Sequence, residues 1–490
     1  MFFFRKLLAD FMTISPIQRQ SLLSFGSLFA ITGLGYISTF YFAHFLGPAV
    51  LGSFFLFLAY YGIFDLIGDG GFGGAAVKRI SEGTAQNEYF TAFFILRIAL
   101  LGLSILTFIL ISPFLTGLEK DGLLYWLILG LVAGTLASIT GINLYGTAHV
   151  GVMQVSNLIN TIVKNLVQIL AVFIGFGLGG LVAGFVAGMI AATVMNLRFI
   201  RLGLARCNRS HFEGLLSFSI WTFLSSGGLL IFTYADTVLI GLFMTEADVG
   251  IYRVAFQLTS VASFLVIAFH TVLFPRISRW HAENQLQKIE YALTRAFTYS
   301  LFLAIPVTAG GIMLSDKLLY FLYGAAFESG APILIILLFA QIANIFMYLQ
   351  TMCLNAMDRP RTSFYITAAS AILNILMCVL LIPRFGIAGA ATASLLTMVL
   401  NAVLSYQMLK SSVSIRIDSK SVLNLVGSAF IMSIVLSAYL YVLPVRDFLG
   451  LVLVLATGAL IYFSAVLWAD RAIRNDLKKL LDTMNLPIIP

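Results

Sequence analysis

The chain reads as an all-α polytopic membrane protein of about 14 transmembrane helices. Two six-helix bundles form a parallel pseudo-repeat, and two further helices close the C-terminus. Three observations predict this. Of 490 residues, 60% are hydrophobic and only 10% charged, with a mean hydropathy of +0.99, whereas a soluble domain carries about 25% charged residues. The apolar residues fall into runs of about 20 positions or more, the length that crosses a hydrocarbon core of about 30 Å. The chain also repeats itself. NLVQILAVFIGFGLGGLVAG (165–184) aligns with NILMCVLLIPRFGIAGAATA (374–393), so that Asn165, Phe176, Gly177 and Gly180 meet Asn374, Phe385, Gly386 and Gly389. VLGSFFLFLAYY (50–61) echoes DVGIYRVAFQLT (248–259), and KRIS (78–81) meets PRIS (275–278). Repeats that keep their order and begin on the same side of the bilayer are parallel repeats.

Residues 1–21 open with MFFFRKLLADFM, which has early positive charge but no long apolar core and no small-residue cleavage site. They read as a cytoplasmic interfacial segment and not as a secretory peptide. The N-terminal half, 22–209, holds spans at 22–45, 51–77, 90–115, 123–148, 155–176 and 178–199. The second is expected to break at GDGGFGG (68–74), where five glycines weaken any helix. The C-terminal half, 210–410, holds spans at 215–244, 249–274, 292–313, 331–357, 364–382 and 387–409. Its basic connection, 276–295, is expected to lie on the anionic inner leaflet as an interfacial helix. Two additional transmembrane helices, 422–442 and 448–469, occupy 411–470, and 471–490 is a cytoplasmic tail.

Orientation follows from the basic residues. With the N-terminus inside, 22 of the 29 lie in inner segments and 4 (Lys120, Lys317, Arg384, Arg446) in outer ones. Both ends are therefore expected in the cytoplasm, and the net charge of +8 reflects topology and does not imply nucleic acid. Cys207, Cys353 and Cys378 give no disulfide framework, and the last two sit in apolar runs where a small hydrophobe suffices.

The three remaining basic residues lie within spans. Lys164 is near the middle of 155–176, and Asn157, Thr161, Lys164 and Gln168 follow i, i+4, i+7, i+11, which puts them on one helical face. A lysine at that depth costs at least about 2.5–3.5 kcal/mol on insertion scales, so it rarely faces lipid. The stripe reads as a wet, cationic cavity wall for something anionic; the plainer reading is a lysine that snorkels or pairs internally. The equivalent positions of the second half, Ile366, Ser370, Leu373 and Met377, are largely apolar, which favours function. Arg97 can clamp a phosphate, or it snorkels, or it pairs with Asp65 or Asp69. Arg253, near the outer end of its span, is a further anion-binding candidate whose alternatives are snorkelling and an ion pair. Asp65 and Asp69, four apart, could bind Na⁺ or a proton, or serve as partners for Arg97 or Lys164. Asp236 is a third coupling candidate, with Arg253 as its structural alternative. His270 reads as a packed histidine.

LGPAVLGSFFLFLAYYGIFDLIGDGGFGGAAVKRISEG (46–83) and YADTVLIGLFMTEADVGIYRVA (234–255) resemble signatures of the polysaccharide-type lipid-linked oligosaccharide flippases. These are the Wzx-like O-antigen and exopolysaccharide translocases of the superfamily that also holds multidrug exporters and lipid II flippases. The resemblance runs from about Ser15 to Leu409. It implies a twelve-helix core in two V-shaped bundles around a central cavity, alternating access, and a polyisoprenyl-linked oligosaccharide as substrate. A polysaccharide polymerase and a chain-length regulator are the implied partners, alongside membrane lipids.

No GxxxxGK[ST], HExxH or CxxC occurs, so this chain carries no ATPase, zinc-protease or thiol-redox motif. No cofactor is expected beyond a coupling Na⁺ or H⁺. The expected outer loops are short, which disfavours an integral-membrane polymerase or glycosyltransferase. A cation-coupled exporter of drugs or metabolites is the runner-up to the flippase.

Overall fold

The computed structural model describes residues 16–117, 122–414 and 417–476, with side chains from residue 31 onward except 225, 226 and 229. Most of the expected interfacial segment, Lys120, Arg416 and the tail beyond 476 lie outside the described residues. Every regular element among the described residues is a helix.

Helix α1 (Pro16–Asp69) has 54 residues, about 81 Å at 1.5 Å per residue and more than two hydrocarbon cores deep. Its break is Gly47, at φ 73°, followed by Pro48. Glycine takes that backbone conformation without strain, and proline suits the first turn of the rod that follows. The first two expected spans are thus the two rods of α1. Gly70 and Gly71, at φ 56° and 75°, then separate α1 from α2 (Phe72–Ser81), the break that GDGGFGG anticipates. A Cβ on Gly71 would lie 2.2 Å from the Ser219 carbonyl oxygen, so this corner admits only glycine.

The next four spans are α3 (Gln86–Ile111), α4 (Leu123–Gly146), α5 (Val150–Phe173) and α6 (Gly177–Leu197). After α7 (Arg209–Phe243) come α8 (Glu246–Thr259), a 3₁₀ turn (Ser260–Ser263) and α9 (Phe264–Ala282). The chain continues through α10 (Leu286–Tyr323), α11 (Ala331–Ala356), α12 (Pro360–Phe385), α13 (Ile387–Leu409), α14 (Ser419–Val442) and α15 (Phe448–Ala469). Among the described residues, 12 stretches are long and apolar enough to cross a membrane. Counting both rods of α1 and the 35-residue α7 brings these to the expected 14.

Two expectations are corrected. The 276–295 connection is not a separate interfacial helix. α9 runs on to Ala282 and α10 begins at Leu286, with the left-handed Asn284 in the turn between them. Ile277, Ile289 and Leu293 bury one face of each extension in the core, which packs the hairpin onto the rest of its unit. The expected outer loop after span nine is likewise mostly helix, since α10 continues to Tyr323 before a short 3₁₀ turn, Ala325–Gly330.

By contacts the chain divides at Tyr234/Ala235, inside α7 and downstream of the expected 209/210 boundary, which falls in the first turn of that helix. In the first unit a core of Phe72, Ala76, Ile80, Phe93, Ile142 and Leu215 joins α2 to α3, α4 and the start of α7. In the second, Leu301, Leu314 and Leu318 of α10 pack with Leu425, Met432, Leu451, Val454 and Val466, which seats α14 and α15. The repeat is visible in local geometry. Gly177 and Gly386 turn the chain at φ 53° and 59°. One turn later, a Cβ on Gly180 would meet Ala171 at 2.6 Å, and one on Gly389 would meet the Leu381 carbonyl at 2.5 Å.

Candidate functional site

The glycine corner after α1 fixes the first cluster. Because α1 stops at Asp69, that carboxylate faces the start of α2 and accepts the Gly73 N–H at 3.3 Å, a favourable place for a negative charge. One turn earlier, Asp65 points the same way. Arg97 reaches both from α3: its guanidinium lies 2.5 Å from Asp65 Oδ1 and 3.7 Å from Asp69 Oδ1, and it donates to the Asp65 carbonyl at 3.2 Å. Arg97 is only 1% exposed, whereas the two carboxylates are 34% and 26% exposed. Pairing is therefore the arrangement found among the alternatives for Arg97. Its charge is spent on two carboxylates, and it offers no open face to a phosphate in this conformation. The cluster carries a formal net charge of −1, turned toward a cavity of about 440 Å³. Tyr61, Phe185, Met189 and Tyr234 supply much of the remaining wall.

The α5 stripe is placed by α6. Gly184 and Gly188 let the two helices touch: a Cβ on Gly184 would lie 2.4 Å from Gln168 Cγ and 2.8 Å from the Lys164 carbonyl, and one on Gly188 would lie 2.9 Å from Lys164 Cβ. Small residues in such a seam bring backbones close enough for polar side chains to bond across. Gln168, 2% exposed, does so, its amide donating to the Leu181 carbonyl at 2.6 Å. Gln168 is thus committed to α6 here. Thr161 donates to the Asn157 carbonyl at 3.0 Å, within its own helix. Asn157, Thr161 and Lys164 are half-buried. No described residue gives Lys164 a hydrogen bond or an ion pair, so Asp65 and Asp69 are partners of Arg97 and not of Lys164.

In the second unit Asp236, 7% exposed, is held by neutral donors from three other helices. Tyr252 on α8 and Ser394 on α13 each donate to Oδ2 at 2.5 Å, and the Cys378 thiol on α12 lies 3.4 Å from Oδ1. Asn374 extends the set, donating to Ser394 and Thr397 at 3.4 Å. Arg253 is not among these partners; its guanidinium sits over the Phe256 ring at 5.4 Å from the centroid. The Arg253 alternative for Asp236 is therefore replaced by a hydroxyl and thiol cage. Cys378 is also more than a small hydrophobe, because its sulfur faces the carboxylate. His270 is packed, with Tyr348 and Phe274 rings at 5.1 and 5.9 Å.

Sequence reasoning missed Tyr61, Tyr234, Tyr252, Cys378 and Ser394. None stands out in an apolar run, and only Asn374 carried a signal, as the repeat mate of Asn165. What the three clusters can do differs by charge. The Asp65–Arg97–Asp69 cavity favours a cation or a hydroxyl-rich ligand, the Asp236 cage suits a small cation, and Lys164 suits an anion.

Known proteins resemble the chain in sequence and, among solved structures, in fold. The chain is 29% identical over 435 residues to the Haloferax volcanii protein named "Probable low-salt glycan biosynthesis flippase Agl15", covering 89% of this chain and 92% of that one. It is 27% identical over 483 residues to "Probable flippase AglR" of the same organism, covering 96% and 99%. Among solved structures, the lipid II flippase MurJ in an inward closed conformation superposes with a TM-score of 0.78 at 17% identity, over 93% of this chain and 99% of that one. An inward-facing multidrug MATE transporter gives 0.65 at 14% identity, over 78% and 94%; at these identities the likeness is one of fold. The family model described as polysaccharide biosynthesis protein matches residues 41–332, from the end of the first crossing into α11, a range that holds Asp65, Asp69, Arg97, Lys164 and Asp236 but not the cage residues Cys378 and Ser394. On that match the chain belongs to the polysaccharide biosynthesis protein family.

Proposed function

We propose that the chain is a flippase that carries a polyisoprenyl phosphate- or pyrophosphate-linked oligosaccharide from the cytoplasmic to the outer leaflet by alternating access, for cell-surface glycan assembly. It is a transporter, not an enzyme, in a multi-pass arrangement; the cytoplasmic membrane, with both termini inside, is the setting in which the basic residues make sense. The observation that carries the reading is Lys164. It lies within a membrane-spanning helix and takes no counter-ion from any described residue. Such a cation costs at least about 2.5–3.5 kcal/mol on insertion scales, and an anionic head group offsets that cost. The two Haloferax volcanii relatives are named as flippases, one of them for glycan biosynthesis, which supports the reading. The glycan delivered outside would pass to a polymerase and its chain-length regulator.

Energy enters through a cation, Na⁺ or H⁺, and Asp236 is the better placed of the three acidic candidates because Asp65 and Asp69 already share Arg97. The second reading, a cation-coupled exporter of drugs or metabolites, draws on the half-exposed carboxylates and on the MATE fold likeness. A deletion strain separates the two: lipid-linked glycan accumulates on the cytoplasmic leaflet if the first is right, and drug resistance falls with unchanged glycan if the second is.

The flippase reading requires positive charge at residue 164, with geometry secondary. Lys164→Arg retains most transport, Lys164→Gln loses about tenfold or more, and Lys164→Glu abolishes it while membrane insertion is normal. The measurement is glycan reaching the outer leaflet of sealed spheroplasts. Normal flipping by Lys164→Glu would end the anionic-substrate argument.

A further inference from the structure

The cavity beside Asp65 and Asp69 is larger and differently walled than an ion site needs. Its volume is about 440 Å³, and Tyr61, Tyr234 and Phe185 line it together with the two carboxylates. Both tyrosine rings are seated by glycines. A Cβ on Gly134 would lie 2.1 Å from the Tyr61 hydroxyl, and one on Gly62 would lie 3.2 Å from Tyr234 Cε2. Tyr61 is braced further by Phe185, edge-on at 5.0 Å, and by its hydroxyl against Met189 Sδ at 3.8 Å. Arg97, buried beneath, pins one oxygen of Asp65, and no described residue donates to the other. The carboxylates are therefore oriented from behind and still able to accept on the cavity side.

We propose that this cavity is the sugar subsite of the flippase, taking a pyranose ring of the lipid-linked glycan; the proposal rests on the flippase reading above. A pyranose presents an apolar C–H face and a rim of hydroxyls. Aromatic side chains match the first through their ring faces, and ionised carboxylates accept the second in charge-assisted hydrogen bonds. The cavity volume falls in the range of small-molecule sites and suits one or two sugar rings. Its formal charge of −1 repels a phosphate, which leaves the anionic end of the substrate to Lys164. A bare inorganic cation would use the carboxylates but gain little from the two tyrosine rings.

The test uses the full chain in phospholipid nanodiscs, free of sugar-based detergent. The probes are polyprenyl-phosphate-linked glycan, extracted from membranes of a strain lacking this protein, and the polyprenyl phosphate of the same chain length without glycan. Wild type binds the glycan-bearing lipid about tenfold or more tightly than the glycan-free one. Tyr61→Leu and Asp69→Asn each bring that ratio down to about threefold or less, while affinity for the glycan-free lipid stays within about twofold. Asp69→Asn leaves Arg97 its Asp65 partner, so the fold survives, and Tyr61→Phe, which keeps the ring, restores most of the ratio. An unchanged ratio in both variants overturns the subsite. So does an Na⁺ dependence of binding that Asp69→Asn abolishes with the ratio intact, since that describes a cation site. Wild-type binding of neither lipid overturns the flippase reading as well, whereas equal binding of both overturns the sugar subsite alone.

Discussion

Because Arg97 is 1% exposed and bridges Asp65 at 2.5 Å and Asp69 at 3.7 Å, the cost of removing a partner depends on which charge is left behind. Breaking a buried pair typically costs about 3–5 kcal/mol. Here the half-exposed carboxylates can be rehydrated and the guanidinium cannot. Asp65→Asn is therefore expected to lower thermal stability strongly, Asp69→Asn less, and a double change of Asp65→Asn with Arg97→Leu to recover much of the loss. Thermal unfolding of the purified variants measures this, and a double variant no better than Asp65→Asn alone would rule out pairing as the cause. Asp236 differs because its partners are neutral. Asp236→Asn keeps the volume and removes the charge. If the cage holds the coupling cation, wild-type flipping falls when an ionophore collapses the Na⁺ or H⁺ gradient, and flipping by the variant is indifferent to that treatment. A variant that is merely less stable, with gradient dependence intact, would assign Asp236 a structural role.

Among the elements, the α5–α6 seam explains why a polar stripe need not be a wet one. Three residues of one helical face divide between an intrahelical bond (Thr161), an interhelical bond (Gln168) and a charge that no described residue pairs (Lys164). At the other end of the chain, Asp470 organises the turn beyond α15. It accepts the N–H groups of Ala472 and Ile473 at 3.0 and 3.1 Å and the Asn424 amide at 3.2 Å. Burial pushes its carboxyl up, but the hydrogen bonds from Ile473, Ser421, Asn424 and Ala472 outweigh that and hold it below the ordinary carboxylate value. A depressed folded value means that the ionised form stabilises the fold. That contribution is present above the unfolded value of about 3.9 and is lost as the pH falls through the folded one. Amide exchange across 471–476, corrected for its intrinsic rate, should therefore quicken as the pH is lowered through that window. Asp470→Asn should show the faster exchange already at neutral pH, since a cap of this kind contributes about 1 kcal/mol. Protection unchanged by either treatment would deny Asp470 the role.

For the whole molecule, the topology is the most exposed statement. The expected arrangement, 14 crossings with the N-terminus inside, would put the 283–285 turn in the cytoplasm and the Ala325–Gly330 turn outside. A compartment-specific tag inserted in the first should report cytoplasm, and one in the second the outer side. A tag signal reversed at either position would remove the two-half scheme together with the assignment of leaflets. The same experiment bears on function, since Lys164 can draw a head group from the cytoplasmic leaflet only if α5 is oriented as the basic residues require.

What the sequence determined by itself is what a bilayer imposes along a single strand of chain. Span length, the corner at GDGGFGG and the correspondence of Gly177 with Gly386 follow from hydropathy and glycine placement, which local residues decide. Only the tertiary structure decided which polar residues are used up. Arg97 meets Asp65 across 32 residues, Gln168 meets Leu181 across 13, and Asp236 meets Ser394 across 158. The reason is physical. A polar side chain inside a membrane must avoid lipid, but a neighbouring helix and a cavity satisfy that requirement equally, and the pattern within one span is the same for both. Helix packing chooses between them, so Gln168 went to a carbonyl, Asp236 to a cage of hydroxyls and a thiol, and Lys164 to neither.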